Sequence, residues 1–293
     1  MTSSNLGWQS KLVLLLVLPY TAVSVCVQAR EWFTQEPAVA QWSLGLSAVF
    51  GLLAFSLRMA TPAAALTGAT ISASLMFSMF EAPFRPWRTG LTPVLVVLVS
   101  TSIATRFGRR RKERLGTAEE RHGRGAAQIA ANLGMAALIM DPLVQDALTE
   151  THWFWRARLA PLPIFALGLA ALAEAAADTV SSELGQVLGG TPRMITTLRR
   201  VEPGTDGGMT VAGTLAGILA AGLVAFAGFL AFHLEPSAFW VSWAGGVFGL
   251  IFDSLLGATA ERAGWLNNDG VNFLSTASAV VCALAVAPHP GVG

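Results

Sequence analysis

Apolar runs of roughly 17–25 residues, the length that crosses a bilayer as a helix, recur along almost the whole chain. Nine can be marked, at about 11–29, 42–58, 61–80, 91–106, 125–147, 160–178, 210–233, 238–259 and 271–288. Polar or charged residues separate them, and within each run apolar side chains continue round every face, which suits a helix in lipid better than one on a water-facing surface. The third run, TPAAALTGATISASLMFSMF, is interrupted by Pro62 and Gly68 and is rich in Ser and Thr, so it reads as a crossing or as a re-entrant or tilted element. The first run follows Lys11 and has a signal peptide as its alternative reading, against which it continues to Ala29 without a clear small-residue cleavage site. The expected fold class is an all-α integral membrane protein, a polytopic bundle of about nine transmembrane helices.

Basic residues give this bundle a direction. With the N-terminus inside, 14 Lys and Arg fall on inner segments and five on outer ones, an asymmetry that the positive-inside rule reads as N-terminus in, C-terminus out. The run RFGRRRKER at 106–114 dominates that count. Three polar-rich connections, 106–128, 178–209 and 260–270, then share the cytoplasmic side. Outer loops are short or aromatic, as in HWFWRAR at 152–158, which suits an interfacial belt. The organisation expected is residues 1–90 as N-terminal membrane helices and 91–293 as a membrane-embedded catalytic core, in a bacterial-type inner or plasma membrane.

Composition agrees and removes other classes. The chain is 53% hydrophobic and carries a net charge of only +1, which excludes the strongly basic surface of a nucleic-acid binder. Cys26 and Cys282 sit alone in apolar runs, and the four His are scattered, so neither residue type offers a metal site.

The polar positions at membrane depth carry the chemistry. In EAAADTVSSELG (174–185), helical spacing lines up Glu174, Asp178, Ser182 and Gly185, and leaves Glu183 about 140° round from Asp178. An acid there costs at least ~2.5 kcal/mol unless it is exposed to headgroup water or paired, so it marks a functional site. In GGTPRMITTLRRVEPGTDGG, Gly204, Thr205, Gly207 and Gly208 form a turn whose amides can cradle phosphate, next to a helix N-terminus. Arg193, Arg199 and Arg200 supply bidentate donors, and Asp206 can hold a divalent cation on the phosphates. No Walker-type loop occurs. A third stretch, 245–272, sets Asp253 on a stripe with Gly245, Gly246, Gly249 and Gly257, followed by Asn267, Asn268, Asp269 and Asn272. A fourth spaces Arg124, Gln128 and Asn132 at intervals of four. Each has a plainer reading in helix packing, capping or topology. Together they suit phosphoryl or nucleotidyl transfer to a lipid, with Mg²⁺ bridging carboxylates and a polyphosphate.

AEAAADTVSSELG, GGTPRMITTLRRVEPGTDGGMTVAGT, FDSLLGAT and WLNNDGVNFLST, with SIATRFG and GRGAAQIAANLG before them, resemble the polytopic membrane family that includes phytyl-phosphate kinase of plants and cyanobacteria. The likeness runs from about 85 to 285. It implies a membrane-embedded enzyme related to CTP-dependent lipid kinases, converting an isoprenoid monophosphate into its diphosphate. Asp178, Ser182, Glu183, Arg193, Thr205, Asp206, Asp253, Asn268 and Asp269 match the family's polar positions. Met209 and Thr210 depart mildly from the small or β-branched residues usual after its TDGG.

The expectation is therefore a lipid-phosphate kinase in which Asp178, Glu183, Asp206 and Asp253 share Mg²⁺. Arg193, Arg199 and Arg200 would bind the triphosphate of a nucleotide, with CTP expected. Arg124, Gln128, Asn132, Asn268 and Asp269 would orient the acceptor, which approaches along the Gly face of span eight. Expected partners are a membrane lipid or isoprenoid phosphate and a nucleoside triphosphate, with homodimerisation left open. A CDP-lipid-forming cytidylyltransferase and a transporter or lipid translocase remain as alternatives.

Overall fold

Helix punctuation sets where the elements of the computed structural model begin and end; it describes residues 7–79, 81, 83–117, 123–145 and 164–287. The aromatic HWFWRAR loop lies outside these residues. All nine apolar runs contain helix: α1 (Trp8–Gln35), α2 (Pro37–Ser56), α3 (Pro62–Phe77), α4 (Leu91–Arg106), α6 (Ala126–Met140), α7 (Ile164–Leu188), α8 (Val211–Phe232), α9 (Pro236–Leu256) and α10 (Asn268–Val286). A short basic helix, α5 (Arg109–Leu115), follows α4. Proline opens α2, α3 and α9, where its missing N–H costs nothing. The side chains of Thr61, Thr210 and Asn267 accept from the amides of Ala64, Gly213 and Gly270 and so start α3, α8 and α10.

Among the described residues six helices are long and apolar enough to cross a membrane: α1, α2, α7, α8, α10, and α9 with its extension to Glu261. A seventh arises if α4 and α5, bent by 63° at their junction, are taken as one span. The helices α3 and α6 have 16 and 15 residues, about 23 Å of rise against a hydrocarbon core of ~30 Å. The expected fifth run is cut short at Met140, because Asp141 precedes Pro142 and takes the extended conformation that proline favours. Every expected apolar run is thus helical, but three are short of a straight crossing. The outer face of α8 shows Val211, Leu215, Leu219, Leu223 and Leu230 exposed at helical spacing, as a lipid-facing wall does.

At the centre stands α7. Its Ala-rich middle lets α4, α6, α8, α9 and α10 all pack against it. A single methyl on Gly217 or Gly213 of α8 would lie 2.7 Å from the Ala177 carbonyl oxygen or 2.6 Å from that of Ser181. Among the described residues the one departure from an all-α fold is a two-residue antiparallel ribbon between α7 and α8, β1 (Arg193–Met194) with β2 (Gly208–Met209). Pairing of Ala60 with Arg124 shows that the polar ends of α2, α3 and α6 lie together. Close approaches of Gly108 to Val187 and of Gly204 to Thr117 bring the ends of α4 and α7 to the same end of the bundle.

Candidate active site

The ribbon folds the chain after α7 back over the helix ends. Gly204 and Gly207 take left-handed φ of 84° and 75°, which glycine adopts without strain. The Gly208 amide donates to Thr205 O (2.9 Å) and the Ile195 amide to Gly207 O (3.0 Å), so the TDGG turn is fixed to its own hairpin. It also presses on the end of α9, where a methyl on Gly207 would sit 2.5 Å from the Ala258 amide nitrogen. The amides of Asp206 and Gly207 donate no hydrogen bond within the described residues.

Beneath this turn lies a cleft of about 210 Å³. Asp178, Ser182 and Gly185 of α7 form one wall. Gly204, Thr205, Asp206, Gly207 and Gly208 form the roof, and Asp253 and Gly257 of α9 form the other wall, with Glu261 and Asn268 at the side. Asp178 and Asp253 interact across it, and Ser182 Oγ lies 3.5 Å from Asp178 Oδ1. One turn deeper, Glu174 is 1% exposed. Among the described residues neither of its carboxyl oxygens, nor Asp253 Oδ2, has a hydrogen-bond partner. The Ser275 hydroxyl faces both acids but donates instead to Asn272 O, at 3.0 Å. A buried carboxyl oxygen without a donor is costly, and a cation is one physical remedy.

Nine of the expected site residues therefore meet, Asp178, Ser182, Gly204, Thr205, Asp206, Gly207, Gly208, Asp253 and Asn268, with Gly185 and Gly257 of the two stripes beside them. Others go elsewhere. Glu183 does not reach the cleft, because α7 continues to Leu188 and carries it to the opposite side, where Lys112 Nζ donates to it at 2.5 Å. Arg193 donates to Leu198 O (2.9 Å), and Arg193, Arg199 and Arg200 are exposed on the hairpin, none of them lining the cleft. Arg124 precedes α6, held by its backbone to Met59 and Thr61, so it is not on a helical stripe with Gln128 and Asn132. Arg124 and Asn132 line a second cavity, while the Gln128 carbonyl accepts from Asn132 Nδ2 at 2.8 Å. Asp269 accepts from Ser10 Oγ (2.6 Å), and Gln9 accepts from the Asn267 amide and donates to Trp265 O, latching α1 onto the start of α10.

The Gly stripe of α9 is a packing surface, not an acceptor path. Gly245 and Gly246 face Ala170 and Ala173 of α7. At Gly249 a methyl would come within 3.0 Å of both Ala279 Cβ and Ser275 O, and closer still to Glu174 Cγ. Gly249→Ala is therefore expected to destabilise the protein by about 1–3 kcal/mol, read as a lower melting temperature in detergent; an unchanged melting temperature would show that the helices can part there.

Glu261 escaped sequence reasoning. The signal was present, since 253, 257 and 261 repeat at intervals of four, but Gly257–Glu261 is a π-helical turn that re-aims the last residue. Glu261 interacts with both Asp206 and Asp178. Among the described residues no three acidic, His or Cys side chains form a ready-made metal site. What the cleft offers is the donor set that Mg²⁺ uses with a nucleotide, one or two carboxylates and an open side for phosphate oxygens. The unpartnered Asp253 Oδ2 is the atom that fits it best.

Residues 45–280 match the family described as integral membrane protein DUF92. An uncharacterized membrane protein of Methanocaldococcus jannaschii is 46% identical over 108 residues, 37% of this chain and 45% of that one. Protein VTE6, chloroplastic, of Arabidopsis thaliana is 29% identical over 222 residues, 73% of this chain and 64% of its own. An uncharacterized membrane protein of Synechocystis is 31% identical over 203 residues, 68% of this chain and 74% of its own. The chain thus spans 45% and 64% of the lengths of the first two relatives. No solved structure matches it. The matched range contains both cavities and every residue of the cleft, and the chain belongs to the integral membrane protein DUF92 family.

Proposed function

We propose that the protein is a membrane lipid-phosphate kinase, transferring the γ-phosphoryl group of a nucleoside triphosphate, CTP by expectation, to an isoprenoid monophosphate. The observation that carries this reading is the cleft itself. Asp178 and Asp253 oppose each other beneath a glycine turn that presents two undonated amides. Family membership supports it, since the motifs shared with phytyl-phosphate kinase are the ones that build the cleft.

In this reading an oxygen of the acceptor phosphate attacks the γ-phosphorus, the bond to the β–γ bridging oxygen breaks, and the nucleoside diphosphate leaves with that electron pair. A phosphate nucleophile is already anionic and needs no general base, which fits a cleft without His. The Asp206 and Gly207 amides orient the phosphates, and Asp178, Asp253 and Asp206 would hold Mg²⁺, which supplies charge neutralisation on the polyphosphate. The basic residues Arg58, Arg106–Arg114, Arg124, Arg193–Arg200 and Arg262 gather at the cleft's end of the bundle, which supports a cytoplasmic opening.

The test incubates detergent-purified protein with Mg²⁺, each common nucleoside triphosphate, and phytyl or geranylgeranyl monophosphate. A prenyl diphosphate with release of nucleoside diphosphate is the expected result. Pyrophosphate release with a CDP-lipid would assign a cytidylyltransferase, and no turnover alongside solute uptake in liposomes would assign transport.

A further inference from the structure

A second cavity, of about 340 Å³, opens at the same end of the bundle on the other side of α7. That volume lies in the range of about 300–1,000 Å³ typical of small-molecule sites. Its inner walls are apolar, with Phe50 and Ala54 of α2, Val94 and Val97 of α4, and Ile129 and Leu133 of α6. Its rim is basic. Arg58, Arg106, Arg109 and Arg124 all line it, and among the described residues no acidic side chain does. Among the described residues Arg58 and Arg106 form no ion pair, whereas Arg109 pairs with Glu113.

The rim is built, not incidental. Arg58 takes a φ of 56°, in the left-handed region where glycine is the low-strain choice. It is held there because the Arg124 amide donates to Met59 O (3.0 Å) and the Thr61 amide to Arg124 O (3.1 Å), which fixes both arginines on one edge. Inside, Thr105 Oγ1 is buried and lacks any partner, a polar atom waiting for one. An apolar pocket with a cationic rim matches an amphiphilic anion.

We infer that this cavity, between α2, α3, α4 and α6, receives the lipid monophosphate. Its chain lies against Phe50, Val97 and Leu133, and its phosphate on Arg58, Arg106 and Arg124. The assignment rests on the kinase reading for the identity of the ligand, but it locates the acceptor where that reading alone does not. Ala175 lines this cavity and Asp178, one turn further along α7, lines the cleft. Arg124 is close enough to act electrostatically on Asp178. The two ligands would thus flank one helix, with their phosphates meeting at its polar end.

A geranylgeranyl monophosphate carrying a diazirine on its chain, photolysed with the detergent-purified protein in the absence of nucleotide, tests the inference. Saturable labelling is expected on peptides from α2–α4 (50–109) and from α6 (126–140), competed by unlabelled geranylgeranyl monophosphate but not by equal concentrations of phosphatidic acid or inorganic phosphate. Label confined to 178–210 or to α9 and α10, competition by either control, or no saturable label would overturn it. Two variants sharpen the answer. A β-carbon on Gly68 would lie 3.6 Å from Phe50 and 3.9 Å from Ile129, so Gly68→Phe tolerates the backbone and fills the cavity. Arg58→Gln removes a rim charge. Each is expected to weaken binding on the order of tenfold without lowering the melting temperature. A protein that labels as expected yet turns over no nucleotide keeps this site and loses the kinase. A protein that turns over with an unchanged KM for prenyl phosphate in both variants keeps the kinase and loses this site.

Discussion

Asp253→Asn is expected to lower turnover by a hundred- to a thousandfold while leaving the protein as stable as before or more so. Its Oδ2 has no protein partner and shares its surroundings with Asp178 and Glu174. Three carboxyls so close, with three of their oxygens, on Glu174 and Asp253, unpaired among the described residues, are a cost to folding that only a function would maintain. Asparagine keeps the shape and removes a charge, so the fold loses a repulsion. On the proposed function the cleft would also lose a ligand for the cation that neutralises phosphoryl transfer, and single groups stabilising a charged transition state are worth about 10²–10³ in rate. Initial rates and melting curves of the same preparation separate this from a structural role. If activity and melting temperature fall together, Asp253 is part of the scaffold.

Lys112→Met should have the opposite signature, a large loss of stability. Lys112 is 1% exposed, and its ammonium donates to Glu183 Oε2 (2.5 Å), Ala104 O (2.9 Å) and Thr105 O (2.8 Å). Three donors thus meet three acceptors. Two of these acceptors are last-turn carbonyls of α4, which no intrahelical amide can reach. Methionine fills much of the volume but strands Glu183, whose side chain is 15% exposed, and breaking a pair this buried costs about 3–5 kcal/mol. Denaturation in detergent measures it. The double variant Lys112→Met with Glu183→Leu should regain a large part, because both charges then go together. If the double variant is no more stable than Lys112→Met alone, the pair is not the cause.

Asp178 and Ser182 were legible because i, i+4 spacing survives in any helix, and the TDGG turn because only glycine takes its backbone angles. The fate of Glu183 depended on where α7 stops, and no breaker intervenes before Gly189, so one extra turn decided between cleft and ion pair. Arg193, Arg199 and Arg200 are expected from the motif to bind a triphosphate, but a linear motif does not reveal that a two-residue ribbon turns them away from the cleft. Asp269 looked like a ligand because its partner, Ser10, lies 259 positions away. The basic cavity was invisible for the same reason, being assembled from five separate segments, two of them in the part expected as N-terminal membrane helices.

The latch between Gln9, Ser10 and the 265–269 turn makes the bundle a ring rather than a row. The first helix and the last are neighbours, and Asn268, a wall of the cleft, stands between the two residues that hold the first helix in place. Anything that tugs on the front of the chain, such as a fused domain or a captured affinity tag, therefore pulls on the site from behind. Where an attachment is placed becomes a choice about chemistry as much as about purification.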